Sequence, residues 1–125
     1  MKKIVKVVSL VVLMTAICSS TVAALPSSVT KTYSAGTVKV TISRSPEEKT
    51  RVLCTNTSSS VMQLRSFTTK YYNKEKPSVI LTDYQTGSGI GLIDKHFDVP
   101  SGCYAYYTTA TVSVDGLGFY ESVEK

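Results

Sequence analysis

Asp94, His96 and Asp98 place two carboxylates and the chain's only imidazole at alternate positions of one short segment. Metals such as zinc and calcium accept that combination of ligands. In an extended chain alternation sends all three to one face, but side chains two apart are separated by nearly 7 Å and the outer pair by about 13 Å, so the trio cannot easily converge on one ion. The solvated face of an edge strand that buries Ile93 and Phe97 on its other side accounts for them better. They remain weak metal candidates, and no cofactor is expected. A nucleophile at Cys103 with His96 as its base would leave Cys54 as an orphan thiol. The run Thr-Gly-Ser-Gly-Ile-Gly at residues 86–91 has the glycine content of a phosphate-cradling loop, without the Lys-Ser/Thr pair or the following helix that would hold the anion. A flexible connection over residues 85–91 is the expectation there. Gly-x-Ser-x-Gly and His-Glu-x-x-His signatures are absent, and Glu47 and Glu48 fall in a predicted turn with no pocket wall. The expectation is a protein that is not an enzyme.

Tyrosine is the other residue type that suggests work. Five of the eight are concentrated in Tyr71-Tyr72 and Tyr104-Ala105-Tyr106-Tyr107. A tyrosine offers a flat apolar ring with a polar tip, suited to sugar stacking or a protein interface, although it also packs well on a pleated sheet. Two-residue alternation puts Tyr104 and Tyr106 on the side of Val112, predicted to face inward, and leaves Tyr107 outward. Tyr107, Tyr71 and Tyr72 are the candidate ligand-binding residues.

The elements that position these residues begin only after a discardable leader. Lys2, Lys3 and Lys6, then an apolar run over residues 7–17, then Thr21-Val22-Ala23-Ala24 read as a secretory signal with cleavage near Ala23 or Ala24. The apolar run is too short to span a membrane, and Ile17 ahead of Cys18 is too bulky for a lipid-modified cysteine. Residues 1–24 are therefore assigned as a signal peptide and 25–125 as one domain, secreted and extracellular, with no transmembrane segment. The leader holds three of the 14 basic residues, leaving 11 against 9 acidic ones. Such a balance does not predict nucleic-acid binding, which needs clustered Lys and Arg. Lys70, Lys74 and Lys76 beside Tyr71 and Tyr72 read as a solvated hairpin end, since Glu75 sits among them. Two cysteines remain, and in an exported chain Cys54 and Cys103 are expected to form one disulfide.

The domain reads as strands throughout. Val38, Val40 and Ile42 alternate with Lys39, Thr41 and Ser43, the signature of a half-buried strand. Residues 29–34 form a weaker edge strand; further strands are predicted at 51–55, 61–72, 78–84, 93–99, from Cys103 to Val114, and after Asp115-Gly116, a hairpin signal. Asn56-Thr57-Ser58 matches a glycosylation acceptor but reads as a plain turn. About seven or eight short strands predict an all-β fold, a small antiparallel β-sandwich, immunoglobulin-like or Greek-key, stapled by one disulfide. The likeness to immunoglobulin-like domains rests on strand count and one distant cysteine pair, and the absent tryptophan removes their usual core signature.

The functional expectation is a secreted, non-catalytic binding module of the bacterial cell exterior, whose ligand is a protein surface or a cell-wall saccharide. Self-association through an edge strand is a further route to a partner. The alternative is a small secreted effector, a bacteriocin-like toxin or a hydrolase inhibitor.

Overall fold

A computed structural model of the protein describes residues 25–125. The signal assignment, its cleavage positions and Cys18 lie outside the described residues. Eight strands succeed one another: β1 (Ser28–Tyr33), β2 (Gly36–Ser45), β3 (Lys49–Asn56), β4 (Met62–Asn73), β5 (Ile80–Gly89), β6 (Leu92–Asp98), β7 (Cys103–Val114) and β8 (Phe119–Glu124). They form two antiparallel four-stranded sheets, ordered β1-β2-β3-β6 and β5-β4-β7-β8. The all-β expectation and the strand count are met. Among the described residues no helix is long and apolar enough to cross a membrane.

Alternation builds the core between the sheets. Val38, Val40 and Ile42 of β2, with Val52 and Cys54 of β3, face Met62, Leu64 and Phe67 of β4 and Ala110, Val112 and Val114 of β7. Each fully buried Val, Leu, Ile or Phe contributes about 1.5–3 kcal/mol relative to exposure. Phe67 stacks on Phe97 of β6 across the sheets, centroids 4.7 Å apart. The polar atoms brought inside are paired: Thr50 of β3 and Thr69 of β4 share a hydrogen bond of 2.8 Å, and Thr69 reaches Thr108 at 3.3 Å. A hydrogen bond bridges the two sheets at each flank, leaving the Ile80 end of β5 open. Glu124 N donates to Pro26 O at 2.9 Å on the β1/β8 side, and Gln85 Nε2 donates to His96 O at 3.4 Å on the β5/β6 side.

Five expectations are corrected. The disulfide is absent: Cys54 and Cys103 are both buried free thiols. Cys54 pairs with Val40, five residues along from the β2–β3 turn at Ser45/Lys49. Cys103 opens β7 at that turn's end, because Ala105 N donates to Pro46 O. The offset along the strands is on the order of 15 Å, far beyond the roughly 7 Å Cα separation a disulfide tolerates. Residues 85–89 are not a loop but the second half of β5, and the connection shrinks to Ile90–Gly91. The glycines mark a close approach of the other sheet, since a Cβ on Gly89 would stand 2.9 Å from Leu92 O and one on Gly87 3.1 Å from Lys95 Cε.

Tyr104 and Tyr106 face outward rather than inward. Tyr104 pairs with Tyr72, Ala105 with Tyr71 and Tyr107 with Lys70, so Tyr106 is an extra residue, a β-bulge that resets the alternation. Asp115–Leu117 form a 3₁₀ turn closed by Gly118 at φ 67°, so β8 begins at Phe119 rather than at Leu117. Asn56, expected in the turn, is instead the last residue of β3, opposite Val38, and its buried side chain braces the turn that follows, donating to Ser60 O and accepting from Ser58 N. The neighbouring Gly36 is required, because a Cβ there would stand 2.5 Å from Ser58 N.

Candidate binding face

Twisted antiparallel sheets expose one side of each strand, and here the exposed side of β5-β4-β7-β8 collects the tyrosines. Pairing aligns Ile80, Tyr72 and Tyr104 in one row, Thr82, Lys70 and Tyr107 in the next, and Tyr84, Thr68, Thr109 and Glu124 beyond them. Gln63, Ser88, Ser113 and Tyr120 make the far row. Six of the eight tyrosines, at 72, 84, 104, 106, 107 and 120, therefore share one face among threonine and serine hydroxyls. From Gln63 to Tyr72 the face runs about 25–30 Å at the usual rise per residue.

The end near Tyr72 is aromatic. Tyr72 stacks on Tyr104 with centroids 5.2 Å apart and lies 5.9 Å from Tyr106 at a 38° tilt. Tyr72, Tyr106, Pro77 and Ile80 line an open depression of about 400 Å³. Such rings present flat apolar area at low entropic cost, with hydroxyls left for hydrogen bonds. The opposite end is polar: Gln63, Arg65, Thr86 and Ser88 line a depression of about 430 Å³. Arg65 is held there by Ser113 Oγ at 2.8 Å, Asp115 at 3.6 Å and the ring of Tyr120 at 5.9 Å. Tyr84 Oη donates to Arg65 O at 3.1 Å, which fixes its ring against β4.

Between the ends, Tyr107 donates its hydroxyl to Glu124 Oε2 at 2.7 Å and lies under Lys70 Nζ, 5.8 Å from the ring centre. That bond holds the Glu124 carboxyl below its ordinary range, and the Leu25 N–H adds to the effect. The same bond raises the Tyr107 phenol.

Of the three ligand-binding candidates, Tyr72 and Tyr107 stand on this face and Tyr71 does not. Tyr71 is fully buried in the core, which corrects its assignment. Burial, and then the nearby Asp83 carboxylate, push its phenol well above its ordinary value, although no neighbour meets hydrogen-bond geometry with its hydroxyl. Tyr84, Tyr104, Tyr106, Tyr120 and Arg65 escape the sequence reading. One signal for them exists: Cys103 and Ala105 require an inward odd phase at the start of β7, Ala110 to Val114 an inward even phase at its end, and only a bulge reconciles the two.

The weak metal candidates do lie together on the outer face of β6, but they form no site. Asp94 is taken by Arg51, whose Nε and Nη2 donate to its two oxygens at 2.8 and 2.6 Å and hold its carboxyl below the usual range. His96 Nε2 lies 3.8 Å from Asp98, and no group of three potential ligands occurs among the described residues. His96 is on an outer face while Cys103 is buried between the sheets, so the two cannot act as base and nucleophile. Burial raises the Cys54 thiol to about 12. No known protein family and no curated protein matches the chain.

Proposed function

We propose that this protein is an exported, non-catalytic binding module, an immunoglobulin-like Greek-key sandwich whose tyrosine face holds an extended glycan of the cell surface. The gathering of six tyrosines on one sheet face carries this reading. Stacked rings at Tyr72, Tyr104 and Tyr106 suit the flat apolar side of a sugar ring. The hydroxyl rows and the Gln63/Arg65 depression suit its polar rim, and the length suits several linked units. Pairing of β3 with β6 and of β4 with β7 supports the immunoglobulin-like order of strands.

Affinity electrophoresis through purified cell-wall polysaccharide tests the proposal. Tyr72→Ala and Tyr106→Ala are expected to weaken retardation at least about tenfold, corresponding to the loss of about 1.4 kcal/mol. Thr41→Ala, on the opposite face, should leave it unchanged. Equal retardation of folded Tyr72→Ala, Tyr106→Ala and wild-type protein would overturn the assignment.

A protein partner is the second reading, favoured by one specific observation. The open edge at β5 leaves Val79, Ile80 and Leu81 each more than 40% exposed, an apolar edge suited to strand addition by a partner or a second copy. Leu81→Lys would abolish such pairing and leave glycan retention intact.

A further inference from the structure

The start of the described chain is tied to its end. Pro26 O accepts the Glu124 N–H at 2.9 Å, so residue 26 is fixed against the edge of β8. Proline restricts the residue before it to an extended conformation, which aims the Leu25 nitrogen along the strand edge. That nitrogen lies 2.9 Å from Glu124 Oε1, while Glu124 Oε2 is occupied by the Tyr107 hydroxyl at 2.7 Å. A carboxylate is thus held by one hydrogen bond and turned with its free oxygen toward one particular backbone nitrogen. For an amide N–H this is a hydrogen bond with one charged partner. For an α-ammonium both partners would be charged, and an ion pair would be added to the hydrogen bond.

We propose that the exported precursor is cut between Ala24 and Leu25 and that Glu124 is the built-in receptor for the α-ammonium this creates. The Val22-Ala23-Ala24 end and the Thr21-Val22-Ala23 end both satisfy the small-residue rule, so the leader alone leaves two registers open. Geometry separates them. Cutting after Ala24 puts the new charge at the atom that Glu124 already contacts, whereas cutting after Ala23 puts it one residue away, about 3.8 Å along the chain. The step is hydrolysis by a leader peptidase: water adds across the Ala24–Leu25 amide, Ala24 leaves with the leader as a carboxylate, and the Leu25 nitrogen takes up protons to become the ammonium. Among the described residues the other charged side chains near this corner are Lys70, which lies over the Tyr107 ring, Arg44, which donates to Lys125 O, Lys125 itself, and the Lys31–Glu121 pair between β1 and β8. Glu124 Oε1 accepts from the Leu25 nitrogen.

The inference rests on the export reading, and the test separates the two. The full precursor is expressed in a bacterial host and the released protein is analysed by intact mass and N-terminal sequencing. Release as a chain beginning at Leu25 is expected. Retention of the leader would overturn export and the cut together; a lipid on Cys18, or release beginning at Ala24, would overturn the cut and leave export standing. Thermal melting of the released protein and of its Nα-acetylated form, each with and without Glu124→Gln, tests the receptor. Glu124→Gln removes the charge and keeps an accepting oxygen for the Leu25 nitrogen, while its amide N–H donates to a Tyr107 hydroxyl turned to accept. It should lower the midpoint of the free-amine form by about 2–5 °C and leave the acetylated form within about a degree. An equal effect on both forms would overturn the receptor role.

Discussion

On the outer side of β1-β2-β3-β6, Lys39, Lys49, Arg51, Asp94, His96 and Asp98 stand among threonines and serines, and no tyrosine or phenylalanine ring of the described residues stands with them. On the outer side of β5-β4-β7-β8, six tyrosines stand in a similar lattice of hydroxyls with Arg65, Lys70 and Glu124 as the charges. Both sheets obey strand alternation and both feed the core, the first with seven buried apolar side chains and the second with eleven. The first face spends its charges on itself, as in the paired Arg51 and Asp94, and what remains is a surface that keeps water. The second keeps large rings at the surface: Tyr106 is 39% and Tyr120 63% exposed. Large exposed rings gathered on one side only are the feature on which the proposed contact surface rests.

The heaviest loss should fall on both faces at once. Phe67 lies under the tyrosine face and stacks on Phe97, which lies under the charged one. Phe67→Ala should cost about 3–5 kcal/mol through lost burial and the cavity left behind, a large share of the roughly 5–15 kcal/mol typical of a domain. Urea unfolding followed by circular dichroism checks it. A loss below about 1 kcal/mol would show that the faces do not hang on a shared core, and the comparison between them would lose its footing.

Acid should separate the faces by a smaller amount. Asp94 is held below the ordinary carboxylate range chiefly by its hydrogen bonds to Arg51. Its contribution is therefore complete above the unfolded value near about 3.9 and is lost as pH falls through the lower folded value. The stability gap between wild type and Asp94→Asn should be flat from about pH 5 to pH 8 and close below about pH 4. Salt should shrink it at neutral pH, since the pair is exposed. Glu124, the lowered carboxylate of the tyrosine face, shows the same sign, so Asp94→Asn must leave that part of the acid response in place. Melting curves over this pH range, with and without added salt, measure both.

Much of this is legible in the residue order. β2 declares itself through Val38, Val40 and Ile42, and the residue pattern predicts β7 over the same twelve residues it occupies. What fails is phase and level. One inserted residue at Tyr106 turns Tyr104 and Tyr106 from core to surface, because a period of two carries no memory of a bulge. Glycines 87 and 89 resemble loop punctuation, yet they serve a strand that another sheet approaches closely. The tyrosine face emerges only once both are put right, since neighbours across strands are set by register and not by spacing within a strand. Tyr71 illustrates the same limit, being adjacent to Tyr72 and therefore on the other side of the sheet.

The faintest response is a null one, and it bears on how the two sheets are joined. A count of two cysteines in an exported chain predicts a staple between them, worth about 4 kcal/mol for a loop of about 49 residues. The thiols instead occupy different levels of the core, and burial raises Cys54 to about 12, leaving almost no thiolate to attack anything at neutral pH. Dithiothreitol should therefore leave the melting temperature unchanged, and iodoacetamide should label Cys54 and Cys103 only once urea unfolds the chain. If reductant lowered the midpoint by the amount such a loop demands, β3 and β7 would have to slide by several residues relative to one another. That slide would carry Tyr104 and Tyr106 out of register with Tyr72, so the tyrosine face and the staple cannot both exist.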